Sequence, residues 1–246
     1  MIHEKNKIYF ASDFHLGSPN YQESLLREKK ACDWLSSIEP YAKEIYLVGD
    51  IFDFWFEYNK VIPKGFERLK GKLVQLTDQG VKIHFFPGNH DLWTFGYLEH
   101  ELGLTVHKEP LITKIEGKTF YITHGDGLCE GAKKYNLLKS FFNSSLCQWA
   151  FEKIHPNLGI KLAHIWSKSS RKKGGQVDNE KLQDGLIAHA KEILTKHDIN
   201  YFIFGHIHEP KELKLTPNSK YINIGDWITH FSYLEFHQNN LLFKYF

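Results

Sequence analysis

The 246 residues carry 31 basic and 29 acidic side chains, a net charge of +2 with the histidines neutral, which argues against a general nucleic-acid-binding protein. Hydrophobic residues make up 42% of the chain, enough for a sizeable core and too many for a disordered protein. The three cysteines form no CxxC pair, and no apolar run has the length of a membrane span. These features argue against disulfide-rich and zinc-finger architectures and predict a cytoplasmic protein.

Short runs rich in β-forming residues alternate along the chain with stretches of helical spacing. The runs predict strands at residues 7–12, 44–48, 81–86, 119–123, 200–204 and 220–224. Helices are expected from Glu23 to Ile38 and from Phe66 to Asp78, the first with one apolar side made of Leu25, Leu26, Cys32, Trp34 and Leu35. This alternation is typical of an α/β protein.

Two turn signals add antiparallel pairs to this pattern. Glu116-Gly117 separates the run Leu111–Ile115 from the strand at Thr119, and Asn239-Asn240 separates two final strands. The sequence therefore predicts a mixed sheet system.

The stretch from about residue 128 to 196 has little strand character and is predicted to be a helical insert within a single domain spanning residues 1–246. It contains a loop around residues 167–176, and its eleven lysines and one arginine face six acidic residues, a net charge of +6. This asymmetry indicates contact with an anionic partner. Apolar residues at helical spacing from 137 to 154 indicate either core packing or contact with acyl chains or a membrane.

Polar clusters follow five of the predicted strands. They are Asp13 with His15, Asp50 with Asp53, Asn89-His90-Asp91, His124-Gly125-Asp126, and His206 with His208. In open α/β sheets the carboxyl ends of the strands form the ligand-binding edge, so these clusters can converge although they are far apart in sequence.

The side chains in these clusters are candidate metal ligands. They comprise carboxylates, imidazoles and one amide, with no thiolate, which suits a borderline or hard divalent ion such as Mn, Fe or Zn, and of these we expect Mn²⁺. Seven candidates exceed the needs of one ion and indicate two, an arrangement suited to hydrolysis of phosphate esters. The candidates are Asp13, His15, Asp50, Asn89, His124, His206 and His208.

In their order along the chain, the five clusters resemble the signature of calcineurin-like metallophosphoesterases. The resemblance implies a four-layer α/β/β/α sandwich. It also implies one metal on Asp13, His15, Asp50 and His208, and another on Asp50, Asn89, His124 and His206. By the same resemblance His90 faces the phosphate as a catalytic residue, oriented by Asp91, while Asp53 and Asp126 hold ligands in place.

A narrower similarity is to UDP-2,3-diacylglucosamine pyrophosphohydrolases of lipid A synthesis. It rests on residues 12–17, 49–55, 124–129 and 224–227 and on the helical insert. It implies cleavage of the pyrophosphate to UMP and 2,3-diacylglucosamine 1-phosphate, with the insert holding the acyl chains and with peripheral contact at the cytoplasmic face of the inner membrane. The substrate contacts that it implies are Asn89, His90, Tyr135, Ser170 and Arg171.

Two departures keep other interpretations open. His90 stands where the better-known enzymes carry Arg, and Gly131-Ala132 stand where an acidic pair is expected. The alternative substrate is therefore another nucleotide or phosphodiester. An inactive, metal-stabilised scaffold is a third interpretation.

Overall fold

The computed structural model describes residues 4–129, 133–163, 165 and 179–246. Residues 156–163 are also helical, although they carry no element label below. In chain order the elements are β1 (Lys7–Ala11), α1 (Tyr21–Ile38), β2 (Ala42–Val48), α2 (Glu67–Asp78), β3 (Lys82–Phe86), α3 (Tyr97–His100), β4 (Thr105–Val106), β5 (Leu111–Ile115), β6 (Lys118–Ile122), α4 (Lys133–Phe142), α5 (Ser145–Glu152), α6 (Asn179–Leu194), β7 (Tyr201–Phe204), β8 (Lys211–Thr216), β9 (Ser219–Asn223), β10 (Ser232–His237) and β11 (Asn240–Tyr245).

The strands form two mixed sheets. One has the order β11-β10-β1-β2-β3-β4, and the other has the order β5-β6-β7-β9-β8. The neighbours β1, β2, β3 and β4 run parallel, as do β6, β7 and β9, while the remaining pairs are antiparallel. The predicted mixture of parallel and antiparallel pairs is confirmed.

Four layers result from the way each sheet buries its two faces. Along β1, Ile8 and Phe10 point into the core between the sheets, whereas Tyr9 and Ala11 point to the opposite face, where α1 and α2 pack. The outer face of the second sheet packs against α6 through Leu186. The predicted α/β/β/α sandwich is confirmed.

One hairpin turn lies where it was predicted, and the other is shifted. Glu116 and Gly117 form the turn between β5 and β6. The predicted turn at Asn239-Asn240 is wrong by one residue, because Asn240 pairs with His237 as the first residue of β11. Gln238 and Asn239 form that turn, with φ of 50° and 61°, and a two-residue hairpin turn of type I′ needs positive φ at both positions.

The predicted apolar side of α1 is partly wrong. Leu26 is 67% exposed, whereas Trp34 and Leu35 are fully buried. The side facing the protein includes the charged residues Arg27 and Glu28. They are buried because each meets backbone groups of neighbouring segments, which an apolar residue could not do.

Within the predicted bounds of the insert, the described residues form α4, α5, the helical residues 156–163 and α6. The single helix expected over residues 137–154 is wrong, because Ser144 begins a new helix by accepting a hydrogen bond from the Cys147 backbone N–H. Phe142 and Phe151 pack on an aromatic cluster formed by Phe54, Phe56, Tyr58 and Trp93. The extent of the insert, about 128 to 196, stays a prediction, and the loop expected around residues 167–176 lies outside the described residues.

None of the helices in the described ranges combines the length and the apolar composition needed to cross a membrane.

Candidate metal centre

The candidate site lies at the carboxyl ends of β1, β2, β3, β6 and β7, where loops from both sheets meet. Within the first sheet, the Asp13 N–H donates to the Gly49 carbonyl at 3.0 Å, and within the second, Gly205 donates to the His124 carbonyl at 3.0 Å. The His206 N–H donates to Oδ2 of Asp13 at 3.0 Å and so connects the two sheets. The predicted convergence of the strand ends therefore follows from backbone hydrogen bonds.

Asp13, His15 and His208 form the first group of candidate ligands. Nε2 of His208 lies 3.3 Å from Oδ1 of Asp13 and 3.2 Å from Nε2 of His15. All three residues offer a ligand atom within 4.8 Å of the others. The three side chains are therefore close enough to coordinate a single cation.

Asp50 lies between this group and a second one. Its Oδ2 is 3.6 Å from Nε2 of His15 and 3.3 Å from Nε2 of His124. Asp50, His124 and His206 again offer ligand atoms within 4.8 Å of one another. A Cβ at Gly88 would lie 2.2 Å from Oδ1 of Asp50, so this close approach of the loop to the carboxylate requires glycine.

Several buried polar atoms at this site have no hydrogen-bond partner among the described residues. They include Oδ1 of Asp13, Oδ1 of Asn89 and Nε2 of His124. An unpaired buried polar group costs about 1 to 3 kcal/mol, and carboxylate, amide and imidazole donors are ligands that divalent cations accept. The residues present therefore fit divalent metal ions, with six of the seven predicted ligands in the two groups and Asn89 on the adjoining loop.

Buried carboxylates dominate the electrostatics of the site. Burial alone lowers the pKa of His15, but hydrogen bonding to Asp13 and Asp53 and the charge of Asp50 raise it to about 10. Burial also lowers the pKa of His124, but the charge and hydrogen bond of Asp50, together with the charges of Asp13 and Asp126, raise that pKa to about 10. The cluster thus attracts positive charge, and a metal ion binding there displaces protons from these imidazoles.

His90 is held in one orientation beside the two groups. Its Nδ1 donates to the Asp53 carbonyl at 3.0 Å, and its backbone N–H donates to Oδ1 of Asp50 at 2.9 Å. Its ring packs edge-on against that of His15, with 4.8 Å between centroids. Because Nδ1 carries the donated proton, the lone pair of the neutral ring is on Nε2.

Asp91 has partners other than the predicted one. We expected it to orient His90, but Nδ1 of His90 bonds to the Asp53 carbonyl. The carboxylate of Asp91 instead accepts hydrogen bonds from four backbone N–H groups in the loops after β2 and β3. They belong to Gly88 at 2.7 Å, Asp50 at 3.3 Å, Ile51 at 2.8 Å and Phe52 at 3.2 Å. Asp91 therefore fixes the loop that carries Asp50.

We expect Asp91→Ala to lower the free energy of unfolding by about 3 kcal/mol, because it leaves several buried backbone N–H groups without their hydrogen-bond acceptor. Urea denaturation in EDTA measures the change without a contribution from metal. Asp78→Ala, at an exposed position at the end of α2, is the matched control and should change stability by less than about 0.5 kcal/mol. A loss below about 1 kcal/mol for Asp91→Ala would contradict this role.

Two further residues support the ligands, and the sequence analysis assigned neither of them a role. The Arg27 guanidinium donates to the backbone carbonyls of Phe14 at 3.1 Å and His15 at 2.9 Å, and so fixes the loop after β1 from helix α1. Oδ2 of Asp226 lies 3.4 Å from Nδ1 of His208. This carboxylate holds the His208 ring with Nε2 towards Asp13, as carboxylates behind metal-binding histidines do.

The structure describes three of the five predicted substrate contacts. The hydroxyl of Tyr135 donates to Oδ2 of Asp126 at 2.8 Å, so the structure shows it bonded to another side chain. Asn89 and His90 line a cavity beside the candidate metal ligands. Ser170 and Arg171 lie outside the described residues.

Comparison with known proteins decides the family. A family model described as calcineurin-like phosphoesterase matches residues 6–210. The chain belongs to the calcineurin-like phosphoesterase family. It is therefore a hydrolase, and the recognition made from the five clusters is confirmed.

Individual relatives of this family member cover nearly its whole length. A Porphyromonas gingivalis protein named UDP-2,3-diacylglucosamine hydrolase is 37% identical over 244 residues, with 93% of each chain covered. An Actinobacillus succinogenes protein of the same name is 27% identical, with 97% of this chain and 99% of that one covered. Among solved structures, a dimetal phosphatase from Danio rerio aligns with a TM-score of 0.50 over 98% of this chain and 95% of that one, and at 14% identity it supports the fold alone.

Proposed function

We propose that this phosphoesterase hydrolyses the pyrophosphate bond of UDP-2,3-diacylglucosamine to UMP and 2,3-diacylglucosamine 1-phosphate. The observation that carries the proposal is a cavity of about 290 Å³ that joins the candidate metal centre to the helical insert. Relatives named UDP-2,3-diacylglucosamine hydrolase, which align over nearly the whole chain, support the same substrate.

The two sides of this cavity differ in polarity. One side carries Asp53, Asn89 and His90, next to the candidate ligands. The other side is apolar, with Trp93 from the loop after β3 and, from α4 and α5, Leu138, Phe142 and Phe151. A diphosphate linked to an acylated sugar matches this difference in polarity, because each part meets groups of its own kind.

We assign one divalent ion to Asp13, His15, Asp50 and His208, and another to Asp50, Asn89, His124 and His206, with Mn²⁺ as the preferred metal. When bound, such ions supply Lewis-acid activation of water and of the phosphoryl group. The carboxylate of Asp50 faces both sites and keeps them together. Asp91 and Asp226 hold Asp50 and His208 in place through the hydrogen bonds and contacts described above.

His90 and Asn89 act on the substrate side of the centre. The hydrogen bond from Nδ1 of His90 to the Asp53 carbonyl fixes the ring, so that Nε2, when protonated, donates to a phosphoryl or leaving oxygen without first losing rotational freedom. Leu138 and Phe142 line the adjoining part of the cavity, where bound acyl chains would displace water and so strengthen the polar contacts made by His90.

A second candidate function is hydrolysis of another nucleotide or phosphodiester at the same centre. His90 favours it, because generic phosphoesterases carry His where the better-known enzymes of lipid A synthesis carry Arg. Under this alternative the apolar side of the cavity has no substrate to bind, and acyl chains add nothing to turnover.

Three substrates separate the two candidates: UDP-2,3-diacylglucosamine in detergent, UDP-glucosamine without acyl chains, and bis-p-nitrophenyl phosphate. We expect kcat/KM with Mn²⁺ to be at least about 100-fold higher for the diacylated substrate than for UDP-glucosamine, because burying even four methylene groups contributes about 3 kcal/mol. Equal kcat/KM values for the two UDP-sugars would contradict the proposal that the substrate carries acyl chains. Hydrolysis of the phosphodiester alone would support the second candidate.

We also propose that the insert contacts the cytoplasmic face of the inner membrane. Four apolar residues of α4 and α5, Leu137, Phe141, Leu146 and Trp149, are between 58% and 75% exposed. Exposed apolar patches of this kind mark interaction sites, and a lipid substrate resides in a membrane. Sedimentation with anionic vesicles tests this contact, and a natural chain that stays in the supernatant would contradict it.

A further inference from the structure

Asp126 connects the metal centre to the first helix of the insert. Its carboxylate lies two residues after the candidate ligand His124 and is almost fully buried, with 3% of the side chain exposed. Oδ2 accepts a hydrogen bond from the Tyr135 hydroxyl at 2.8 Å and another from the Lys139 ammonium at 2.7 Å. Both donors belong to α4 and stand one helical turn apart, so they meet one acceptor.

The same helix lies directly on the backbone of the loop after His124. The Asn136 side-chain amide donates to the Gly127 carbonyl at 2.9 Å. A Cβ at Gly127 would lie 2.3 Å from Oδ1 of Asn136 and 3.1 Å from the Tyr135 ring, and its φ of +79° is one that glycine adopts without strain. This glycine therefore permits the close contact between loop and helix.

The C-terminal end of α4 is held by Trp93 rather than by the loop after His124. The indole N–H of Trp93 donates to the Phe142 carbonyl at 3.0 Å, and Phe142 packs against the Trp93 ring. Tyr135, Leu138, Lys139 and Phe142 all line the cavity that reaches Asn89 and His90. The attachment at Asp126 and the attachment at Trp93 therefore set the width of that cavity.

We propose that Asp126, Tyr135 and Lys139 form a latch that holds α4 at the distance from the metal centre that the acyl part of the substrate requires. This inference rests on the proposed function. Tyr135 and Lys139 are positioning residues that act through Asp126, and the hydroxyl of Tyr135 serves the latch rather than the substrate. Without the latch, α4 stays attached at Trp93 and moves away from His124 at its other end.

Hydrogen exchange of the backbone amides of α4 in the Mn²⁺-loaded protein tests the latch without any substrate. Tyr135→Phe and Lys139→Met each remove one donor, and each should accelerate exchange in α4 about tenfold, as expected for a lost hydrogen bond to a charged group. Lys139→Arg keeps a donor, so its α4 amides should exchange as slowly as those of the natural chain. Lys134→Met removes the same charge from an exposed position of the same helix and should leave exchange unchanged.

Kinetics with the diacylated substrate complete the test. For Tyr135→Phe and Lys139→Met we expect KM to rise about tenfold with kcat within about twofold, because the latch affects binding of the acyl part and not the reacting atoms. Lys139→Arg should restore the natural KM.

Two outcomes would overturn the latch. One is unchanged exchange of α4 in both Tyr135→Phe and Lys139→Met, whatever their activity. The other is a raised KM for Tyr135→Phe with natural exchange, which would assign the hydroxyl to direct substrate contact. If the natural chain releases no UMP, the proposed function fails, and the exchange measurement alone then decides whether Asp126 holds the helix.

Discussion

Asp50→Asn should reduce kcat for hydrolysis of the pyrophosphate bond by at least about 100-fold, more than the loss typical of residues that only support a metal ligand. The Asp50 carboxylate is the group that faces both clusters, with Oδ2 within 3.6 Å of His15 and 3.3 Å of His124. An amide has one oxygen and no charge, so it cannot serve two cations as a carboxylate does. The variant should therefore bind fewer than two metal ions per chain.

Folding of this variant has to be shown separately. Asn keeps an Oδ1 that can accept from the His90 N–H but lacks the charge that pairs with His15 and His124, so we expect the metal-free variant to stay folded, with a free energy of unfolding about 1 to 3 kcal/mol below that of the natural metal-free chain. Asp33→Asn, at an exposed position on α1, is the matched control and should keep full activity and metal content. Natural kcat in Asp50→Asn would contradict a role for Asp50 between two ions.

Removal of divalent metal should abolish activity and lower the thermal stability of the chain. Metal binds the folded site and not the unfolded chain, so it stabilises the native state by mass action. At 100 times the dissociation constant, one site adds about 2.7 kcal/mol, which for a chain of this size corresponds to a rise in Tm of about 5 to 10 °C.

Scanning calorimetry in EDTA, and then with increasing Mn²⁺, measures this shift. Restored Mn²⁺ should return both the Tm and the activity, and the shift should be smaller in Asp50→Asn because one carboxylate ligand is lost. A Tm that does not change with Mn²⁺ up to millimolar concentrations would contradict a metal centre at this site.

The candidate site was predictable because its residues follow strands that the sequence itself reveals. Buried strands such as β2 and β7 are short apolar runs, and the residues after them, Asp50 and His206, must lie at the carboxyl edge of a sheet. The order of the five clusters then supplied the family. The alternation of strands and helices predicted an α/β protein, and the resemblance to the family implied its four layers.

The supporting residues were not predictable, because their roles depend on contacts between distant segments. Arg27 stands on what looks like an ordinary amphipathic helix, and its burial is explained only by the carbonyls after β1 that it meets. Asp226 is 18 residues from His208 in sequence, and nothing local relates the two. The hydrogen-bond partners of Asp91 were not predictable either, because its carboxylate faces backbone N–H groups of the loop after β2, about 40 residues away in sequence.

The insert shows a different limit of sequence analysis. Apolar residues continue at helical spacing through Asn143 and Ser144, so periodicity predicts one helix where a capping serine starts a second. Periodicity also cannot tell which apolar residues pack in the protein core and which are exposed to bind acyl chains or a membrane. Phe151 packs on the aromatic cluster, whereas Leu146 and Trp149 remain exposed.

The most direct test of the account is the identity and stoichiometry of the products formed from UDP-2,3-diacylglucosamine, followed by mass spectrometry with the natural chain and with Asp50→Asn. We predict Mn²⁺-dependent release of UMP and 2,3-diacylglucosamine 1-phosphate in equal amounts by the natural chain, and release at least about 100-fold slower by the variant. Intact substrate after incubation of the metal-loaded natural chain, or equal rates for the two proteins, would contradict the account.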